Sequence, residues 1–206
     1  MKSSQWLPLG VLIAAPFVHA QPVDSRAPDV VVKSTIDNVM GAIKTDAAAQ
    51  AGDPDALDRV VAEKFLPSTD FMRTTRLAVG NAWTRATPDQ QQALFEQFQT
   101  LMAHTYAAQL AQIRGQGVQF NYLPMAPLPS GATDAVVRTI VLNNGDTMNI
   151  DYRLNKSAAG WKIYDINMMG AWLIQVYQTQ FADQLAKGGV DGLIKFLTAH
   201  NARSAG

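Results

Sequence analysis

Residues 146–181 read DTMNIDYRLNKSAAGWKIYDINMMGAWLIQVYQTQF. Met148, Ile150, Tyr152 and Leu154 alternate with Thr147, Asn149, Asp151 and Arg153. A period of two sends the two sets to opposite faces of a strand, so one face of the sheet lies against an apolar interior. A polar turn follows, and a second strand opens at Trp161 and closes on Met168, Met169 and Gly170. An apolar helix comes next. The question this stretch poses is what the interior contains: packed side chains alone, or a ligand.

Working outward, the sequence before it is helical. From Pro28, the residues Val31, Val32, Ile36, Val39, Met40 and Ile43 fall at helical spacing. Asp53-Pro54 supplies an N-cap and a first-turn proline for a helix carrying Leu57, Val60, Val61 and Phe65. Pro67-Ser68-Thr69-Asp70 breaks the chain and caps a short helix that ends near Gly80. Thr87-Pro88-Asp89-Gln90 combines an N-cap, a proline at N1 and a capping-box glutamine at N3. The long helix it starts is predicted to stop at Gly115 and Gly117. At Val118 the texture changes. Val118–Leu123 alternates, Pro124–Gly131 is a proline-rich loop, Ala135–Leu142 is strand-like, and Asn143-Asn144-Gly145-Asp146 is a hairpin turn. Two closing helices are predicted at about 170–186 and 190–200, separated by Lys187-Gly188-Gly189. The fold class is therefore α+β: a helical N-terminal half packed on a four-stranded antiparallel meander and closed by C-terminal helices.

The first twenty residues have the pattern of a secretory signal: Lys2, an apolar run from Trp6 to Val18, and the small-x-small site Val18-His19-Ala20. Residues 21–27 read as a polar leader, 28–200 as one domain and 201–206 as a tail. The chain has no Cys, so an exported form stands on its core alone, without disulfides. It carries 17 basic and 17 acidic residues. That balance argues against nucleic acid, which calls for a basic footprint, and against strong docking to anionic lipid.

Catalytic and metal-binding signatures are missing. No His-x-x-x-His pair, Cys cluster, Walker loop, Gly-x-Ser-x-Gly or Gly-x-Gly-x-x-Gly occurs, so no metal or cofactor is expected. His104 reads as a half-buried or surface helix residue. Asp70 reads as a cap, and Asp151 as a solvent-facing or paired strand residue. Asp165 beside Tyr164 offers one enzymatic alternative. Small cone-shaped α+β folds place an Asp and a Tyr in a pocket for proton abstraction, which needs an apolar site and an oriented partner.

The pieces Ile150-Asp151-Tyr152-Arg153-Leu154, Gly160-Trp161-Lys162-Ile163-Tyr164-Asp165, and Gly170 followed by Leu173, Tyr177, Gln180 and Phe181 resemble the MlaC (toluene-tolerance) family of periplasmic phospholipid-binding proteins. Asp70-Phe71-Met72 with Leu77, Gly80 and Trp83, the Gln90–Phe98 helix and Asp191-Gly192-Leu193-Ile194 fit as well. Together they span roughly residues 28 to 200. Trp172 stands where a small Ser is usual in the family, and Gln178 where an Arg is usual.

The resemblance implies a soluble periplasmic carrier with an NTF2-like sheet, its cavity holding phospholipid as cargo. It implies two partner sets: an outer-membrane lipoprotein complex, and an inner-membrane ABC transporter with its lipid-binding subunit. The shuttle between them would maintain outer-membrane lipid asymmetry. Candidate lining residues are Phe71, Met72, Leu77, Trp83, Leu101, Tyr106, Val137, Val141, Ile150, Tyr152, Tyr164, Ile166, Met168, Trp172, Val176 and Tyr177. Arg73, Arg76, Arg138 and Arg153 are candidates for headgroup contact or docking. A carrier, a small-pocket enzyme and a pure interaction module remain the three readings.

Overall fold

The computed structural model describes residues 26–113 and 117–204. The expected signal sequence, the expected leader up to Ser25, the predicted helix stop at Gly115 and the last two residues lie outside them. Six helices and five strands follow in the order α1 (Pro28–Thr45), α2 (Ala47–Ala51), α3 (Pro54–Val60), α4 (Phe71–Val79), α5 (Pro88–Ile113), β1 (Gln119–Tyr122), β2 (Asp134–Asn143), β3 (Asp146–Ser157), β4 (Gly160–Met168), β5 (Ala171–Trp172) and α6 (Leu173–Ser204). The sheet is an antiparallel meander in sequence order, β1-β2-β3-β4-β5. The α+β class and the meander agree with the sequence.

Local chemistry explains where the elements start and turn. The capping box closes α5 as expected: Thr87 N–H donates to Gln90 Oε1 at 2.9 Å, and Gln90 N–H donates to Thr87 Oγ1 at 3.2 Å. Asp53 caps α3 through Ala56 N–H, and Asp70 caps α4 through Arg73 N–H. The β2–β3 hairpin turns on Asn144 and Gly145, both at positive φ, which matches the twist of the flanking strands.

The structure corrects three boundaries. The helix from Pro54 changes at Val61 into a π-helical turn, Val61–Phe65, and then into a 3-10 turn, Leu66–Ser68. Trp172 belongs to a fifth strand rather than to a helix. Met169 and Gly170 both take positive φ, so the chain doubles back and pairs Met168 with Ala171 before helix starts. The two closing helices meet at Gly189, whose backbone is non-helical (φ 62°, ψ −156°), within the Lys187-Gly188-Gly189 separation expected from the sequence. Finally, α6 runs past residue 200 to Ser204. Asn201 Nδ2 donates to Gln97 O at 2.8 Å and holds that end against α5.

Alternation gives the sheet an inner face. Ala135, Val137, Thr139 and Val141 of β2 are buried alongside Ile150, Tyr152 and Leu154 of β3 and Ile163 and Ile166 of β4. Val31, Val32 and Ile36 of α1 cover part of this face. A second cluster joins α4, α5 and α6 around Phe98, whose ring meets Phe71, Tyr177 and Phe181 at 4.9–5.2 Å. A third joins α1, α2, α3 and α5 around Ile43, Leu57 and Val61. Tyr106 packs against all three. The exposed edge of β4 is covered by the approach to α4: Asp70 N–H donates to Ile163 O at 2.8 Å, and Thr74 Oγ1 donates to Tyr164 O at 2.6 Å.

These contacts set an order of costs. Phe98→Ala is expected to lower the unfolding free energy by about 3–5 kcal/mol, because a fully buried ring leaves a cavity. Thr87→Ala removes one cap bond and is expected to cost about 1 kcal/mol. Urea denaturation with an unchanged slope checks both, and equal losses would contradict the packing described.

Candidate functional site

Sheet and helices do not close on each other everywhere. Where Leu154, Trp161 and Ile163 lie, the inner face is packed shut. Towards the other end of the same strands, Ile150 and Tyr152 of β3 and Ile166 and Met168 of β4 wall an apolar cleft. Its other walls are Ile36, Val39 and Met40 of α1, Val61 and Phe65 of the π turn, Tyr106, Gln109, Leu110 and Ile113 of α5, and Phe120 of β1. Gln109 is the one amide among these side chains. The cleft has a volume of about 100 Å³, whereas small-molecule sites run to roughly 300–1,000 Å³.

The cleft does not end blindly on the outer side. Ile36, Met40 and Phe120 also line a broad groove of about 1,050 Å³ between α1, the end of α5 and β1. Its rim is polar, with Lys33, Asp37, Lys44, Gln50 and Gln112. Lys33 Nζ donates to Asp37 Oδ2 at 2.7 Å and stands 5.6 Å from the centre of the Tyr122 ring. An apolar slot thus opens into a wet, charged mouth, an arrangement suited to an amphiphile.

Of the residues expected to line an interior site, Tyr106, Ile150, Tyr152, Ile166 and Met168 come together in the cleft. Phe71, Leu77, Trp83, Leu101 and Tyr177 do not line it. Phe71, Trp83, Leu101 and Tyr177 pack into the helical cluster around Phe98, and Leu77 lends its carbonyl to Gln178 Nε2 at 2.9 Å, tying α4 to α6. Val137 and Val141 are buried on the inner face but line neither cleft nor groove. Met72 and Val176 are exposed, because each sits on the outer side of its helix. Tyr164 and Trp172 carry stacked guanidinium groups instead: Arg73 lies 4.1 Å from the Tyr164 ring centre and Arg153 lies 3.6 Å from that of Trp172. The four arginines line neither cleft nor groove. Arg73 pairs with Asp134 at 3.1 Å, Arg153 with Asp165 at 3.1 Å, and Arg76 and Arg138 are exposed.

Sequence reasoning missed the contributions of α1, the π turn and β1. The triplet Ile36, Val39, Met40 was visible as a helical stripe, but a stripe does not say whether it meets a sheet or a void. Phe65 reaches the cleft because the π turn shifts its direction, and that shift has no signal in residue spacing.

Asp165 has a structural role that sets aside its reading as a base. Its side chain has no exposed surface. Oδ1 accepts Ile166 N–H and Ile174 N–H, each at 3.0 Å, and Oδ2 accepts Arg153 Nη1. Ile174 is in the first turn of α6, so Asp165 caps that helix from a neighbouring strand, where a negative charge also suits the helix dipole. Burial pushes its carboxyl above the usual carboxylate range, while the Ile174 N–H, the Arg153 guanidinium and the Ile166 N–H pull the other way. Among the described residues no group of three or more His, Cys, Asp or Glu side chains is placed to hold a metal ion. No described helix is long and apolar enough to cross a membrane.

Three comparisons bear on this geometry. The family model for the MlaC protein matches residues 33–199. The toluene tolerance protein ttg2D of Pseudomonas putida is 24% identical over 187 residues, covering 88% of this chain and 84% of that protein. The intermembrane phospholipid transport system binding protein MlaC of Haemophilus influenzae is 21% identical over 189 residues, covering 90% and 87%. A solved phospholipid-binding protein from Ralstonia solanacearum, in complex with a phospholipid, is 41% identical with a TM-score of 0.81, covering 88% of this chain and all of that one.

Two outcomes follow from the site's surroundings. Burial holds the Tyr106 and Tyr152 phenols well above their ordinary pKa. Above pH of about 10 the unfolded chain releases phenol protons that the folded chain keeps, so stability present below that pH is lost as pH rises. The urea midpoint is expected to fall between pH 8 and pH 11, and less steeply in Tyr152→Phe. Trp172→Ser, in turn, removes a stacked guanidinium contact, and a loss of about 1 kcal/mol in thermal or urea melts is expected.

Proposed function

The chain belongs to the MlaC family, and on that premise we propose that it is a soluble carrier of phospholipid in the Gram-negative periplasm. It takes lipid between an outer-membrane lipoprotein complex and the lipid-binding subunit of an inner-membrane ABC transporter, and so maintains outer-membrane lipid asymmetry. Residues 1–20 direct its export, and residues 28–200 form one lipid-binding domain. It performs no catalysis and carries no cofactor other than its cargo. The observation that supports this reading best is the apolar cleft opening across Ile36, Met40 and Phe120 into a polar-rimmed groove.

Acyl chains enter the cleft and the phosphate headgroup stays in the groove, beside Lys33 and Lys44. Since the cleft holds about 100 Å³, chains are admitted as α1 and the end of α5 move off the sheet. The side chains that must give way include Met40 and Met168, whose unbranched thioethers repack at low cost. Burial of a methylene stabilises by about 0.8 kcal/mol, so a sixteen-carbon chain contributes on the order of 12 kcal/mol before the cost of opening. Release into water is then too slow to serve transport. The cargo leaves when a partner takes the tails directly or holds the helices open.

Expression from Gln21, purification without detergent and lipid mass spectrometry test the proposal. Stoichiometric phospholipid is expected; a folded, lipid-free protein would refute it. Met168→Glu places a charge on the cleft wall at a half-buried position, and is expected to reduce retained lipid at least tenfold while the circular dichroism spectrum is kept. Undiminished lipid in that variant would move the site elsewhere.

A further inference from the structure

The inner end of the cleft is closed by three side chains, Phe65, Tyr106 and Ile166. The same three also line a second, smaller void on their far side. That void holds only about 10 Å³, and its other walls are Phe71 and Ile163 with the more polar Thr69, Thr74, Tyr164 and Asp165. Phe65 and Tyr106 meet edge to face at 5.2 Å, with cleft on one side and void on the other. The partition is therefore one ring pair thick.

Its two halves are held differently. Tyr106 is anchored: it packs into all three apolar clusters, and its phenol sits deep enough for Tyr177, Asp165 and Tyr152 to act on it. Phe65 is the last residue of the π turn, one residue before a 3-10 turn, and packs against two of the three clusters rather than all of them. A ring bordered by empty space on two sides lacks partner atoms there, so turning it forfeits few dispersion contacts. Of the two, Phe65 is the one that can move.

We infer that Phe65 is the movable floor of the acyl slot and sets the length of chain the protein retains. With the ring in place a chain stops against Phe65 and Tyr106. With the ring turned aside, the cleft continues past Ile166 towards Phe71 and Ile163, and the end of a longer chain occupies that extension. The inference rests on the carrier reading above and adds to it a residue that selects among lipids.

The test uses the chain from Gln21 as wild type, Phe65→Ala and Phe65→Trp. Each is incubated with phosphatidylethanolamine vesicles whose acyl chains are graded from short to long, repurified, and its bound lipid analysed by mass spectrometry. Phe65→Ala is expected to raise the ratio of long to short chains by roughly tenfold, the lower end of what one accommodated methylene is worth in a hydrophobic pocket. Phe65→Trp is expected to shift the ratio the other way. Circular dichroism confirms folding, and Phe65→Leu replaces the alanine variant if that one does not fold. Folded variants holding stoichiometric lipid at the wild-type ratio would overturn the floor and leave the carrier reading standing. A wild-type protein that takes up no lipid would overturn both.

Discussion

Alternation along β3 commits Ile150, Tyr152 and Leu154 to one side of the sheet, and everything else is arranged around covering that side. A strand cannot leave such a row in water, since each buried aliphatic or aromatic side chain contributes about 1.5–3 kcal/mol. At the Leu154 end the row meets Val137, Trp161 and Ile163, and packing is complete. At the Ile150 end it meets α1, the π turn and α5, which stand off and leave a cleft. One row of side chains is core at one end and cleft wall at the other.

The helices that stand off are held from outside the cleft. His104 Nε2 of α5 lies 3.0 Å from Asp58 Oδ2 of α3, and the cluster around Leu57 and Val61 fastens both to α1. Asp165 caps α6 and pairs with Arg153, whose guanidinium is covered by Trp172. Removing Arg153 leaves the unexposed Asp165 carboxylate without its ion partner, which is destabilising. The polar machinery of this protein fixes its frame, and the place where the frame is loose is apolar. None of the side chains that line the cleft is charged.

This division explains why the conspicuous side chains were misleading. Arginines, tryptophans and a buried aspartate next to a tyrosine are the residues that draw attention in a sequence. Here Arg73 with Tyr164 and Arg153 with Trp172 and Asp165 brace the outer face and the start of α6. The cleft is built from plainer residues, Ile36, Val39, Met40 and Leu110 among them, each indistinguishable from core by type.

By itself the sequence determined the class and order of elements. The capping box at Thr87–Gln90, the caps at Asp53 and Asp70 and the Asn144-Gly145 turn act through residues at most three apart, so local chemistry writes them plainly. The sequence also determined the family, because ordered motifs over most of the chain carry it. Tertiary structure decided the rest. Whether a stripe such as Ile36, Val39, Met40 meets a wall or a void depends on how far two elements stand apart, and no period encodes that distance. The π turn that aims Phe65, the fifth strand at Trp172 and the capping of α6 by Asp165 each need a partner distant in sequence or a backbone shift of a single residue. Packing between elements settles them, and only after the elements exist.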